Sequence, residues 1–184
     1  VAAPTERRAV TGQRLTQASS GLRMRLRGGR VLPRRASRVV RTFQWLLVLA
    51  TAAALIVDAV VHLRDAHFYD GAAGGWVTEG QLFRAQAAVA LLVAGWLLLR
   101  RRPVSWLAAL LVAASAFAAV LLYRYVNVGQ LGPLPRMYEP SWDAPGKLPS
   151  AYAEGTGAVL AALGLLLAIR SNRRQDPSPP TTSR

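Results

Sequence analysis

Residues 55–70 read LIVDAVVHLRDAHFYD, and the way they are taken decides the fold. They close a longer apolar run, FQWLLVLATAAALIVDAVVHL at 43–63. As a helix rising 1.5 Å per residue, that run reaches about 30 Å, one hydrocarbon core of a bilayer. It nevertheless carries a carboxylate, Asp58, and an imidazole, His62, with Asp65 just beyond. At about 100° per residue, positions i, i+4 and i+7 fall within about 60° of one another. Aimed at lipid, a charge there costs at least about 2.5 kcal/mol. The stretch is therefore predicted to end a membrane span, with its polar stripe facing protein or a wet cavity.

Three more blocks have the same apolar character, at about 82–99, 104–126 and 151–169. Apolar residues make up 52% of the 184-residue chain and charged residues 17%, most of the latter lying between the blocks. That segregation is the membrane pattern. The predicted fold class is all-α: a transmembrane four-helix bundle with ordered outer loops and disordered cytoplasmic tails. Residues 1–40 are expected to form a basic tail, 41–170 the membrane domain and 171–184 a second tail. The first block starts too late and runs too long for a signal peptide, so it is expected to be a retained span. Pro103 suits the first turn of the third helix, and Ser150 is a candidate N-cap for the fourth. Ala114 with Ala118, and Gly157 with Ala161 and Gly164, are spaced for close helix approach.

The net charge of +14 is one of placement. Arginines crowd the segment before the first span, including Arg34, Arg35, Arg38 and Arg41. Arg100, Arg101 and Arg102 fill the turn between the second and third spans, and Arg170, Arg173 and Arg174 follow the fourth. The two longer connections hold most of the acids: Asp65, Asp70, Glu79, Glu139 and Asp143. Basic residues stay inside, so both termini are expected in the cytoplasm of a bacterial cell, with the longer loops outside the plasma membrane. Anionic lipid headgroups at the cytoplasmic face are the natural partners of these arginines. No stretch alternates aromatic and basic residues as a nucleic-acid platform would, so no nucleic-acid partner is expected. Cysteine is absent, which excludes disulfides, thiolate ligation and a catalytic thiol. Trp45 and Trp106 toward one end of the spans, and Tyr69, Trp76, Tyr123, Tyr125 and Tyr152 toward the other, suggest interfacial belts.

With that topology, polar residues of all four helices collect toward the outer end. Asp58, His62 and Asp65 come from the first, Arg84 and Gln86 from the second, Arg124 from the third and Glu154 from the fourth. Three uses compete for such a cluster. In the first, the carboxylates pair with Arg84 and Arg124 and the network sets helix register, as in a structural or accessory membrane component, alone, as a homo-oligomer or with a membrane-protein partner. In the second, the cluster serves transport, or an outward-opening pocket holds an anionic headgroup or other small ligand. In the third, Asp58, His62, Asp65 and Glu154 supply nitrogen and oxygen ligands to a divalent metal; no other cofactor is expected. No nucleophile constellation accompanies them, so catalysis is not expected. The loop at 127–150, NVGQLGPLPRMYEPSWDAPGKLPS, is proline-rich and reads as an ordered lid, with Leu134, Met137, Tyr138 and Trp142 available to cover the cluster.

The order of VVHLRDAHFYD at 60–70, EGQLFRAQA at 79–87 and LLYRYVNVGQLGPLPRMYEP at 121–140 resembles small, uncharacterised four-span membrane proteins of actinobacteria. The resemblance covers about residues 40–170 and implies an architecture, not an activity. The arginine bias, with Lys147 the lone lysine, fits the high-GC genes of such bacteria.

Overall fold

The computed structural model describes residues 34–71 and 76–173. The expected disorder before residue 34 and after 173, and the glycine-rich centre of the first long loop at 72–75, lie outside the described residues. The chain divides into units 1–40 and 41–184. Of the first, only the helical start at 34–40 is described, and the account below concerns the second.

Four helices are long and apolar enough to cross a bilayer. They are α1 (Arg34–Asp65), α2 (Glu79–Leu99), α3 (Pro103–Tyr125) and α4 (Lys147–Arg173). A 3-10 turn, Ala66–Tyr69, extends α1. The bundle is all-α, as its four apolar blocks require. Helix α1 begins upstream of Phe43, where the apolar run starts, because nothing at 34–42 breaks a helix. Helix α2 starts at a capping box: Gln81 N–H donates to Thr78 Oγ1 at 3.1 Å, and Thr78 N–H donates to Gln81 Oε1 at 3.0 Å. Pro103 is the first residue of α3, where its missing N–H costs nothing.

Between helices in lipid there is little hydrophobic drive, so close packing carries the assembly. The inward face of α1 is Leu47, Val48, Thr51, Ala52, Leu55, Asp58 and Ala59. Thr51 satisfies its hydroxyl on the Leu47 carbonyl, 2.8 Å away within its own helix. On α4, Gly157, Ala161 and Gly164 are all buried, as their spacing suggests. Gly157 lies where a methyl would touch Ala54 of α1 at 3.4 Å and Ala113 of α3 at 3.5 Å. A methyl on Gly164 would run into the Trp106 ring. On α3 the buried positions are Ser105, Trp106, Ala109 and Ala113. The expected Ala114–Ala118 pair is displaced by this neighbouring stripe, since Ala118 is exposed. Trp106 is a core side chain and not part of a belt, at 4% exposure. Trp45, about three turns into α1, lies under the guanidinium of Arg101 from the α2–α3 turn at 3.9 Å.

The connection from α3 to α4 is built, not slack. Glu139 N–H donates to the Tyr123 carbonyl at 3.1 Å, and Val77 N–H reaches from the first loop to the Pro133 carbonyl at 3.3 Å. Lys147 donates from Nζ to the Glu139 carbonyl. Trp142 lies between two cations, 5.6 Å from Arg124 and 5.7 Å from Lys147. Gly146 enters α4 at φ 70°, and a side chain there would collide with the Asp65 carboxylate.

Candidate ligand and metal site

Asp58 is the hub. Its Oδ1 lies 2.9 Å from His62 Nδ1 and 3.2 Å from Ser150 Oγ; its Oδ2 lies 3.3 Å from Gln86 Nε2. These partners come from one turn later on α1, from α4 and from α2. His62 Nδ1 also lies 3.0 Å from the Asp58 carbonyl. Both of its neighbours are acceptors, so Nδ1 carries a proton and donates. That leaves Nε2 turned toward Glu154, whose Oε1 is 4.0 Å away. Ser150 Oγ is 2.8 Å from the same Glu154 Oε1. Glu154 Oε2 is buried with no hydrogen-bond partner among the described residues. Phe83 of α2 holds the imidazole edge-on, with ring centroids 5.0 Å apart, and reaches Tyr69 at 4.9 Å.

The cluster does not face outward as expected. Asp58 and Glu154 are each 1% exposed, because Gln86, Ser150 and the helix crossing cover them. Beside it lies a cavity of about 750 Å³ lined by all four helices and the α3–α4 loop. His62, Gln86, Ser150 and Glu154 form its polar floor, with Val61, Leu82, Val89 and Val120 among its apolar walls. Leu134, Met137 and Tyr138 of the loop line it too, in the covering position expected of a lid. Trp142 instead anchors that loop from outside.

Among the remaining sequence candidates, Asp65 lines the cavity next to Gly146 but stands apart from the Asp58 hub. Arg84 does not pair with the buried carboxylates. Both of its terminal nitrogens bind Asp70, at 2.6 Å each, on the exposed loop before α2. Solvated and flexible, Asp70 reaches the guanidinium without burying it. The pair holds the Asp70 carboxyl below the usual carboxylate range. Arg124 stacks over Tyr125 and Trp142 and does not line the cavity. The arginine-neutralised network expected from sequence is therefore replaced by one of imidazole, amide and hydroxyl. Ser150 belongs to it because α4 starts at Lys147, which places Ser150 inside the helix and not at its cap. The i, i+4 spacing of Ser150 and Glu154 is the sequence signal for that role.

The chain is a multi-pass membrane protein. Comparison with protein-family models, curated proteins and solved structures finds no match. Its chemistry rests on the site. Asp58, His62 and Glu154 each offer one ligand atom, all within 4.8 Å of one another, which could hold a divalent ion. Asp65 is not one of the three.

Proposed function

We propose that this protein binds a small molecule within the membrane and does not transform it. The observation that carries this reading is Glu154 Oε2, an acceptor without a partner among the described residues, at the floor of a cavity of about 750 Å³. Buried polar atoms are ordinarily satisfied, so an unpaired one on a residue that lines a ligand-sized space favours an absent donor or cation. A scaffolding network would have closed on itself. The arginine bias and the order of motifs favour membership of the actinobacterial four-span proteins. Exposed arginines at Arg100–Arg102, Arg170 and Arg173 favour cytoplasmic termini and contact with anionic lipid at that face. The cavity end would then lie across the membrane.

The test is binding of a neutral lipophilic fluorophore to the purified chain in detergent. Saturation near one site per chain, lost when Ala119→Trp fills the cavity wall, is the expected result. Binding that never saturates, or that Ala119→Trp leaves unchanged, would sink it.

A second reading has its own support. The three ligand atoms of Asp58, His62 and Glu154 suit zinc or a similar divalent ion, with the Asp58–Nδ1 hydrogen bond fixing the tautomer that frees Nε2. Metal–ligand lengths of about 2.0–2.2 Å set adjacent ligand atoms about 3.3–3.5 Å apart, so the site would close on the ion. Elemental analysis of protein prepared without chelators checks this. A stoichiometric metal lost in His62→Gln supports it, and a metal content equal in both counts against it.

A further inference from the structure

We infer that the cavity selects organic cations: molecules with a compact apolar or aromatic body and a positive charge. This deepens the binding reading and rests on it. The argument starts from charge. At and behind the floor, one imidazole stands against two carboxylates, Glu154 in the lining and Asp58 behind it. Asp65, Glu79 and Glu139 add carboxylates to the walls. Against these, the lining cations are Arg136 and Lys147. Arg136 is exposed, and the Lys147 ammonium is turned to the Glu139 carbonyl and the Trp142 ring. Of the guanidiniums that would have made an anion site, Arg84 is engaged on Asp70, and Arg124, whose buried Nε has no hydrogen-bond partner among the described residues, lies over Trp142 and does not line the cavity.

The floor also offers acceptors and little to donate. Gln86 gives one of its two amide N–H groups to Asp58, and His62 spends its Nδ1 proton there too. Ser150 has one proton for two carboxylate oxygens, at 3.2 Å on Asp58 and 2.8 Å on Glu154. Two acceptors of the lining residues are left over: His62 Nε2, and Glu154 Oε2, which is buried and unpaired among the described residues. An anion would meet carboxylates there, and a neutral body would leave that oxygen unsatisfied. A cation supplies the missing positive charge in a low-dielectric setting, where the attraction is strong. The walls suit the rest of such a guest. Tyr69, Phe83, Tyr123 and Tyr138 present aromatic groups, whose faces attract cations, among aliphatic side chains.

Two probes of nearly one shape and opposite charge, tetraphenylphosphonium and tetraphenylborate, and a smaller neutral one, triphenylphosphine oxide, separate charge from fit. Each is titrated into the full chain in detergent, and only the saturable component absent from Ala119→Trp is counted. The cation should bind at least tenfold tighter than the neutral oxide, and the borate weakest. Glu154→Gln keeps the shape of the side chain but removes its charge. It should weaken the cation at least tenfold and leave the oxide within about twofold. Equal affinities for cation and oxide, or a preference for the borate, would overturn cation selection while leaving the binding reading standing. So would a Glu154→Gln protein that holds the cation as tightly as the original. If no probe binds saturably, both fall. The comparison among probes on the unaltered protein stands even if Glu154→Gln does not fold.

Discussion

At the scale of the residue, Asp58 is unusual for what it receives. Donors from His62, Gln86 and Ser150 converge on it from three helices, and it is 1% exposed. Its removal takes away three hydrogen bonds at once and leaves the Gln86 amide without its partner, although His62 keeps the Asp58 carbonyl and Ser150 keeps Glu154; removing one donor leaves Asp58 two others. Asp58→Ala should therefore lower stability by about 2–3 kcal/mol, and Gln86→Leu by about 1 kcal/mol. Thermal unfolding of the two variants in the same detergent measures the difference. If Asp58→Ala costs no more than Gln86→Leu, the hub does not hold the helices together. The stripe of Asp58 and His62 was legible in the sequence, because a helical period and the cost of charge in lipid are enough to turn it inward. The partner of Arg84 was not. Sequence places Arg84 near the buried carboxylates, but pairing them would bury a guanidinium as well. Asp70 offers both oxygens at the exposed end of the bundle without that cost.

At the scale of the element, the spacing of small residues located the packed face of α4 but misplaced that of α3. On α4, Gly157, Ala161 and Gly164 share one face and carry two of the helix's three glycines, which picks them out from the neighbouring line of Gly155, Ala158 and Ala162. On α3, alanines occupy so many positions that spacing alone cannot choose among them. The bulky partner decides: Trp106 fills the hollow at Gly164, which sets Ser105, Ala109 and Ala113 inward. Two substitutions of the same size test whether this fit matters. Gly164→Ala drives a methyl into the Trp106 ring, and overpacking of this kind costs about 1–3 kcal/mol. Gly157→Ala makes ordinary contacts at 3.4 and 3.5 Å and gains helix propensity, so it should be neutral within about 1 kcal/mol. Unfolding midpoints of the pair should separate by several degrees. Equal midpoints would mean that Trp106 moves aside freely and does not set the register of α3 on α4. The Gly164→Ala,Trp106→Leu double variant should recover part of the loss.

At the scale of the whole molecule, one end of the bundle is basic and the other carries the cavity. Arg100–Arg102, Arg170 and Arg173 are exposed at helix ends away from the two long loops, and Arg41 is exposed in the early turns of α1. The site consists of the last turns of α1 and α3, the first turns of α2 and α4, and the loop that closes α3 onto α4. Orientation then decides from which side a ligand arrives. Retention of arginine on the cytoplasmic side predicts that the cavity end faces out. The absence of native cysteine makes this testable one position at a time. Trp76→Cys and Gln130→Cys place a thiol on the long loops, Trp76 being 95% exposed. Arg101→Cys and Asn172→Cys place one at the opposite end, where both native residues are exposed. In intact cells a membrane-impermeant maleimide should label the first two and reach the second two only after lysis. Labelling of Asn172→Cys in intact cells, with Trp76→Cys protected, would invert the protein. A ligand would then enter the cavity from the cytoplasm, and the loop over Tyr138 would gate an internal pool.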